Sequence, residues 1–291
     1  MTDHLASPDQ SECYLNGNFQ ALSQCQVSVL DRGFIFGDGV YEVIPVYGRR
    51  VFRAGDHLAR LARSLGAVGI SNPSHANDWL ALVRELIARN APDDQCIYIQ
   101  VTRGVAKRDH AFPQGVEPTV FMMSFPFPHV SAEKRDQGVA CITAPDLRWR
   151  NAHIKSTSLL GNVLARQLSV EADAAETILI RESLLTEASA SNVWVVRNHR
   201  LAAPLRDHDK LEGIRVGLVE ELSAEIGLKL EFRPVAEWEL RCAEEIFLTS
   251  ATKEVLSVTS LDGKAVGNGR PGPVATALYK AYQRAKQVQS H

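Results

Sequence analysis

The chain is poor in the residues that mark special environments. Of its 291 residues, five are cysteine, three methionine and four tryptophan. The cysteines (Cys13, Cys25, Cys96, Cys141 and Cys242) are odd in number, and no two stand in Cys-x-x-Cys spacing. That speaks against a disulfide scaffold and against a zinc or redox motif, so no metal centre is expected. Reduced thiols in a reducing compartment, the cytoplasm, are the expectation instead. Charge of one sign is also missing: 32 Lys and Arg stand against 34 Asp and Glu, a net of −2. A chain so balanced has no global field for a polyanion, so nucleic-acid binding is not expected. No apolar run approaches the ~18–20 residues of a membrane-spanning helix. Met1 to Glu12 is polar and acidic, without the apolar core of a secretion signal. Repeats and low-complexity tracts are absent.

What is present is an ordinary globular composition, 45% hydrophobic and 23% charged, with enough apolar material for a sizeable core. The length suggests two domains. Residues 1–10 read as a loose tail. Tyr14 to Asn16 is predicted as a strand entering a hairpin turn at Gly17-Asn18, and Val40 to Tyr47 as a strand that Pro45 interrupts. Asp56 is expected to cap a helix with Leu58, Leu61, Leu65 and Val68 on one face, and a second helix spans Asn77 to Arg89. Strands are predicted at Cys96–Thr102 and Thr119–Ser124. Pro126 and Pro128 then stop the strand and mark an interdomain linker before Ser131. Beyond it the expected strands are 138–143, 176–181, 192–197, 229–233 and 245–249, and the helices 158–171, 216–226 and 274–286. The fold class is therefore α+β, with two mixed α/β domains at residues 1–130 and 131–291.

Gly267, Gly269 and Gly272 match Gly-x-Gly-x-x-Gly, but no acidic residue follows at ~20 positions, and Pro271 lies inside the motif. It reads as a turn. More chemistry surrounds Lys155, which lies between an apolar approach and a helix start. Standing alone, such a lysine is a surface charge. Farther along, Glu187 with Ala188-Ser189-Ala190-Ser191-Asn192 opens an apolar strand. A glutamate there is either an exposed edge residue or the partner of a buried cation. Leu211-Glu212-Gly213-Ile214-Arg215 opens a helix whose first amides can bind an anion. Ser250-Ala251-Thr252 ends a strand with hydroxyls and amides; both stretches also suit ordinary caps. Arg108 and His110 stand two apart, so an extended segment can point both one way, toward a carboxylate or into solvent.

Together these residues resemble a known family. Gly37-Asp38-Gly39-Val40-Tyr41-Glu42, Arg60, Lys155, Glu187 with Ser189-x-Ser191-Asn192, Leu211-x-Gly213-Ile214 and Thr249-Ser250 occur in the order and spacing of the fold-type IV pyridoxal-phosphate enzymes. The resemblance runs from about Tyr14 to the C-terminal helix. Within that family, Arg108-x-His110 with Tyr41 resembles the D-amino acid aminotransferases. The resemblance implies pyridoxal 5'-phosphate as cofactor, lodged between the two domains, with Lys155 joining its aldehyde and then shuttling the substrate proton. A lysine in that role needs its pKa lowered by burial and cationic neighbours. It implies Glu187 on the pyridine nitrogen, Ser189 nearby and Leu211 against the ring. Arg60, Gly213, Ile214, Arg215, Ser250, Ala251 and Thr252 are implied at the phosphate. Tyr41, Arg108 and His110 would trap the substrate carboxylate, the Arg/His loop reaching in from the second subunit of a homodimer. Arg215 and Ala251 stand where relatives often carry Thr, and Ala188 and Ala190 where they carry Gly and Ser. The implied activity is a ping-pong transfer of an amino group from a D-amino acid to a 2-oxo acid. An L-branched-chain aminotransferase, an aminodeoxychorismate lyase and a non-catalytic binding protein are the alternatives.

Overall fold

Asn16 and Gly17 both take left-handed backbone, with φ of 46° and 97°, as a two-residue turn between twisted strands requires. They join β1 (Glu12–Leu15) to β2 (Asn18–Ala21). The structure, a computed structural model, describes residues 11–73 and 76–289; the tail expected at residues 1–10 lies outside them. A short helix, α1 (Arg32–Phe36), precedes β3 (Gly39–Tyr47) and β4 (Arg50–Val51). Next come α2 (Ala54–Ala67), α3 (Trp79–Arg89), β5 (Gln95–Thr102) and β6 (Thr119–Pro126). The six strands pair antiparallel in the order β2-β1-β6-β5-β3-β4.

Strand alternation sorts this sheet into two faces. Val40, Ile44, Ile97, Ile99, Val101, Val120 and Met122 are buried in one cluster with Leu61 and Leu65 of α2 and Val83, Leu86 and Ile87 of α3. The intervening Tyr41, Val43, Tyr98, Gln100 and Phe121 are only half-buried. Two proline expectations change. β3 runs unbroken through Pro45, which pairs with Cys96 on β5. On its other side β4 reaches only Val46 and Tyr47, so the missing N–H costs no ladder bond there. Likewise β6 continues to Pro126, because its neighbour β1 ends its pairing at Met123. Nor does Asp56 cap α2. The helix begins at Ala54, and Asp56 lies in its first turn with Oδ2 2.5 Å from Arg53 Nε.

The second sheet begins after α4 (Ala132–Gln137) with β7 (Val139–Pro145), followed by α5 (Leu160–Glu171), β8 (Glu176–Arg181), β9 (Leu184–Ala188), β10 (Asn192–Arg197) and β11 (Arg200–Ala203). Then come α6 (Ile214–Glu225), β12 (Lys229–Phe232), α7 (Glu237–Arg241), β13 (Glu245–Ser250), β14 (Glu254–Leu261), β15 (Lys264–Ala265) and α8 (Pro273–Gln289). The order is β12-β11-β10-β13-β14-β7-β8-β9, with β15 on β14. Pairs β11–β12, β14–β7 and β7–β8 are parallel. The glycine-rich turn before α8 carries no cofactor motif: the Glu245 carboxylate accepts from Val274 N (3.0 Å) and Ala275 N (2.9 Å), filling that helix start.

Contacts divide the chain into two units. The first comprises the described residues up to Pro128 together with Ile154–Leu159, and the second His129–His153 and Leu160–Val288. Among the described residues no helix is long and apolar enough to cross a membrane, and no cluster of three or more His, Cys, Asp or Glu could hold a metal ion.

Candidate active site

In the first unit, residues 155–157 lie along the start of β3. Tyr41 N donates to Lys155 O (2.9 Å) and Thr157 N to Gly39 O (2.9 Å), with an antiparallel bridge between Val40 and Ser156. The Thr157 and Ser158 hydroxyls both donate to Gly37 O at 2.9 Å. This is why the helix expected from Ser158 starts at Leu160. With its backbone pinned, Lys155 places Nζ 4.1 Å from the centroid of the Tyr41 ring, within cation–π range. Tyr41 in turn lies against Tyr98, ring centroids 5.7 Å apart. Burial pushes the Tyr98 hydroxyl up to about 12, with Tyr41 adding to the shift.

One residue beyond Tyr41, Glu42 points to the helix side of the sheet and is fully buried. A carboxylate there must be paired. Arg60 Nε donates to Oε1 at 2.6 Å and Nη2 to Oε2 at 2.8 Å, a bidentate fork. His57, one turn earlier on α2, has Nδ1 2.9 Å from Oε2 and is the donor, since a carboxylate only accepts. Burial raises the Glu42 carboxyl, but Arg60 and His57 outweigh it and hold it far below the usual range. Arg60, expected at a phosphate, is thus fixed by Glu42 through two of its nitrogens.

Arg108 and His110 are exposed on the loop between β5 and β6. Both flank Phe36: the Arg108 guanidinium carbon is 5.4 Å from that ring centroid, and the His110 ring also 5.4 Å. The two side chains thus share one aromatic neighbour.

In the second unit Glu187, one residue before the end of β9, is a buried carboxylate. Its Oε1 accepts from Arg148 Nη1, and its Oε2 from Leu211 N at 3.2 Å. Of the two sequence readings of Glu187, the buried cation partner is the correct one. Arg148 is itself gripped by Asp146, through Nε (2.9 Å) and Nη2 (2.8 Å). Burial pushes the Glu187 carboxyl up; Arg148 and the Leu211 amide pull the other way. Arg148 stays firmly charged, because Asp146 and Glu187 outweigh the cost of its burial.

Leu211 is held from the other side as well: its carbonyl accepts from Asn192 Nδ2 at 2.8 Å. A Cβ at Gly213 would come within 2.2 Å of Asn192 Oδ1, so a larger residue there would push the Asn192 amide away from its bond to Leu211. Gly213 offers no side chain to cap that helix, leaving the Ile214 and Arg215 end of α6 without a capping group from it. Arg215 is buried, and its guanidinium turns to the C-terminal helix: Nε donates to the Tyr282 hydroxyl at 2.9 Å, while Nη2 lies 3.4 Å from Ala251 O. Ser250 ends β13, and Ala251 and Thr252 begin the turn to β14, with Ser250 Oγ accepting from Lys253 N at 3.0 Å. Ser189 does not present its hydroxyl to an open site. It donates to the buried Glu176, which also takes Ser191 Oγ (2.8 Å) and Lys253 Nζ (2.8 Å).

Sequence reasoning passed over Glu42, His57, Arg148 and Glu176. Each acts through a partner many residues away. A weak signal existed for Glu42, a charge alternating into the apolar face of a strand.

The profile of the amino-transferase class IV family matches residues 39–261. The chain is similar to the D-alanine aminotransferase of Bacillus licheniformis, 40% identical over 270 residues that cover 93% of this chain and 95% of that protein. It is also 34% identical to the D-alanine aminotransferase of Staphylococcus aureus (strain MW2), over 96% of this chain and 98% of that protein. Among solved structures, its fold resembles the T.th. branched-chain amino acid aminotransferase with pyridoxamine 5'-phosphate. The TM-score is 0.89 at 23% identity, covering 96% of this chain and 94% of that one.

Proposed function

Because this chain belongs to the class IV aminotransferases, we propose that it moves the amino group of a D-amino acid, such as D-alanine, to a 2-oxo acid, alternating two half-reactions. The observation that carries the D-amino acid reading is the gathering of Arg108 and His110 around Phe36, two cationic-capable groups on one loop. They suit a substrate carboxylate, which Arg binds through a planar fork.

The residues fit the family's cofactor, pyridoxal phosphate. A buried carboxylate, Glu187, stands ready for a pyridine nitrogen. The start of α6 and the hydroxyl-bearing turn at Ser250 suit a phosphate. When bound, the cofactor supplies the electron sink that lets the substrate Cα–H bond break. Lys155 Nζ would take that proton from the substrate Cα and hold it for return, and its pinned backbone keeps the amine on the Tyr41 side. Glu187, backed by Arg148, would hold negative charge against the pyridine nitrogen. Arg60, steadied by Glu42, would serve the phosphate from the first unit's residues, and the Ile214 and Arg215 amides with Ser250, Ala251 and Thr252 would serve it from the second's. Leu211 would pack against the ring, and Tyr41, Arg108 and His110 would bind the substrate carboxylate.

The test offers D-alanine, L-valine and aminodeoxychorismate in turn to the loaded enzyme and follows its visible absorbance. Rapid bleaching by D-alanine is expected. Reaction with L-valine alone, or pyruvate release from aminodeoxychorismate alone, overturns the D-amino acid reading.

A homodimer is supported by α5, where Leu160, Val163, Leu164 and Leu168 are exposed at helical spacing, Leu160 to 71%. Sedimentation is expected to give twice the chain mass, and Leu164→Glu to shift the protein toward monomer. A monomeric wild type at micromolar concentration sinks the dimer. A cytoplasmic location is supported by the five free cysteines.

A further inference from the structure

The Gly37-Asp38-Gly39 stretch holds a carboxylate that the transfer steps do not use. Asp38 Oδ2 accepts from Arg32 Nε at 2.7 Å and from Arg103 Nε at 2.8 Å, and its Oδ1 from Arg103 Nη2 at 2.9 Å. Both guanidiniums are buried. Burial raises the Asp38 carboxyl, yet the two arginines outweigh it and hold it below the usual carboxylate range. The node is tied into the backbone: Arg32 N donates to Gly104 O (2.9 Å) and Arg103 N to Asp38 O (3.1 Å).

Arg32 then reaches outward to the substrate loop. Its Nη1 donates to Asp109 O at 2.5 Å, and its Nη2 lies 3.5 Å from His110 O. Its guanidinium carbon also lies 4.8 Å from the Phe36 ring centroid, the ring that Arg108 and His110 flank. The second arginine braces the same loop farther on, with the Arg103 guanidinium 3.6 Å over the Phe112 ring. An exposed loop without regular structure loses entropy when a ligand orders it. Here a buried ion cluster already holds two carbonyls of that loop, that of Asp109 between Arg108 and His110 and that of His110 itself.

We propose that Arg32, gripped by Asp38, is a positioning residue for substrate-carboxylate recognition: it fixes the Asp109–His110 backbone so that Arg108 and His110 stand together before substrate arrives. The inference rests on the reading of Arg108 and His110 as the carboxylate site. A forked guanidinium is needed, because one end must hold Asp38 while the other holds two carbonyls. Lysine, with one nitrogen, cannot do both.

The experiment measures steady-state kinetics with D-alanine for the holoenzyme, Arg32→Met, Arg32→Lys and an Arg108→Ala control, together with amide exchange across the loop. Loss of the charged tether and loop misplacement are expected to raise KM for D-alanine by roughly 10–100-fold in Arg32→Met, with kcat changed less than about threefold. Arg32→Lys should fail to restore KM. Amide exchange at Asp109–Phe112 should quicken, while Ile97–Val101 in β5 stays protected. If Arg32→Met does not accumulate folded, Asp38→Asn gives the same readings. KM within twofold of wild type in a folded Arg32 variant whose Arg108→Ala control has lost affinity overturns the proposal, as does unchanged loop exchange. An Arg108→Ala enzyme with unaltered KM instead overturns the carboxylate site itself, and the proposal falls with it.

Discussion

Replacing Lys155 with alanine is expected to cut turnover by roughly 10⁴-fold or more, since the variant loses both the amine that joins the cofactor and the base that moves the proton. Other lysines also lie in polar, partly enclosed settings, Lys210 and Lys253 among them, and they make the prediction sharp. Lys210 is buried beside Leu211, and Lys253 donates to Glu176 at 2.8 Å. Neither sits by an aromatic ring on a pinned segment as Lys155 does, with Nζ 4.1 Å from the Tyr41 centroid. Borohydride treatment of the loaded enzyme followed by peptide mapping should mark Lys155, and the Lys155→Ala protein should carry no mark. Activity within tenfold of wild type, or a mark on Lys210 or Lys253, would show that another amine is in use.

The second large effect is on stability. Glu42→Gln keeps the side-chain shape but leaves Arg60 and His57 facing a neutral amide in a closed core. Removing one partner of a buried ion pair costs about 3–5 kcal/mol, a large part of the ~5–15 kcal/mol that holds a typical domain together. Chemical denaturation of the two holoenzymes should show that loss as a lowered midpoint. The double variant Glu42→Leu/Arg60→Met should recover part of it, because it removes the guanidinium along with the carboxylate and leaves only the His57 ring facing apolar groups. The pH arm has a definite sign. The folded carboxyl lies below the ~4.3 of a free glutamate. Its contribution is therefore complete above that value and falls away as the pH drops toward the folded one. Wild type should lose stability in acid more steeply than Glu42→Gln. Equal midpoints at neutral pH would mean that the core tolerates the unpaired guanidinium.

The sequence revealed elements in proportion to how local their causes are. Helices α2, α3, α6 and α8 carry apolar residues at helical spacing, and β3, β5 and β6 carry dense β-branched and aromatic runs. β9, β11 and β14 were not anticipated. Leu184–Ala188 has an acid and a hydroxyl among its five residues, and Glu254–Leu261 follows directly on the small polar turn at Ser250. Such segments become strands because neighbours pair with them, which a linear reading does not see. The site divides the same way. Lys155, Glu187 and the Arg108–His110 pair stood out by residue type and spacing. The partners that set them, Arg148 for Glu187, Glu42 for Arg60 and Arg32 for the loop, act over sequence gaps that only the folded chain closes. Two side chains also spend their polar atoms away from the expected cofactor: Ser189 on Glu176, and Arg215 on Tyr282.

The return of Ile154–Leu159 to the first unit has a consequence for synthesis on the ribosome. Domains generally fold as units from the N-terminus as they emerge. A nascent chain that has released Pro128 still lacks the segment that bridges Val40 and binds the Tyr41 amide. That segment arrives only after β7, the first strand of the second sheet, has been made. The first unit therefore waits, one edge unfinished, for a stretch translated inside its neighbour, and the lysine is among the last of its residues to be delivered.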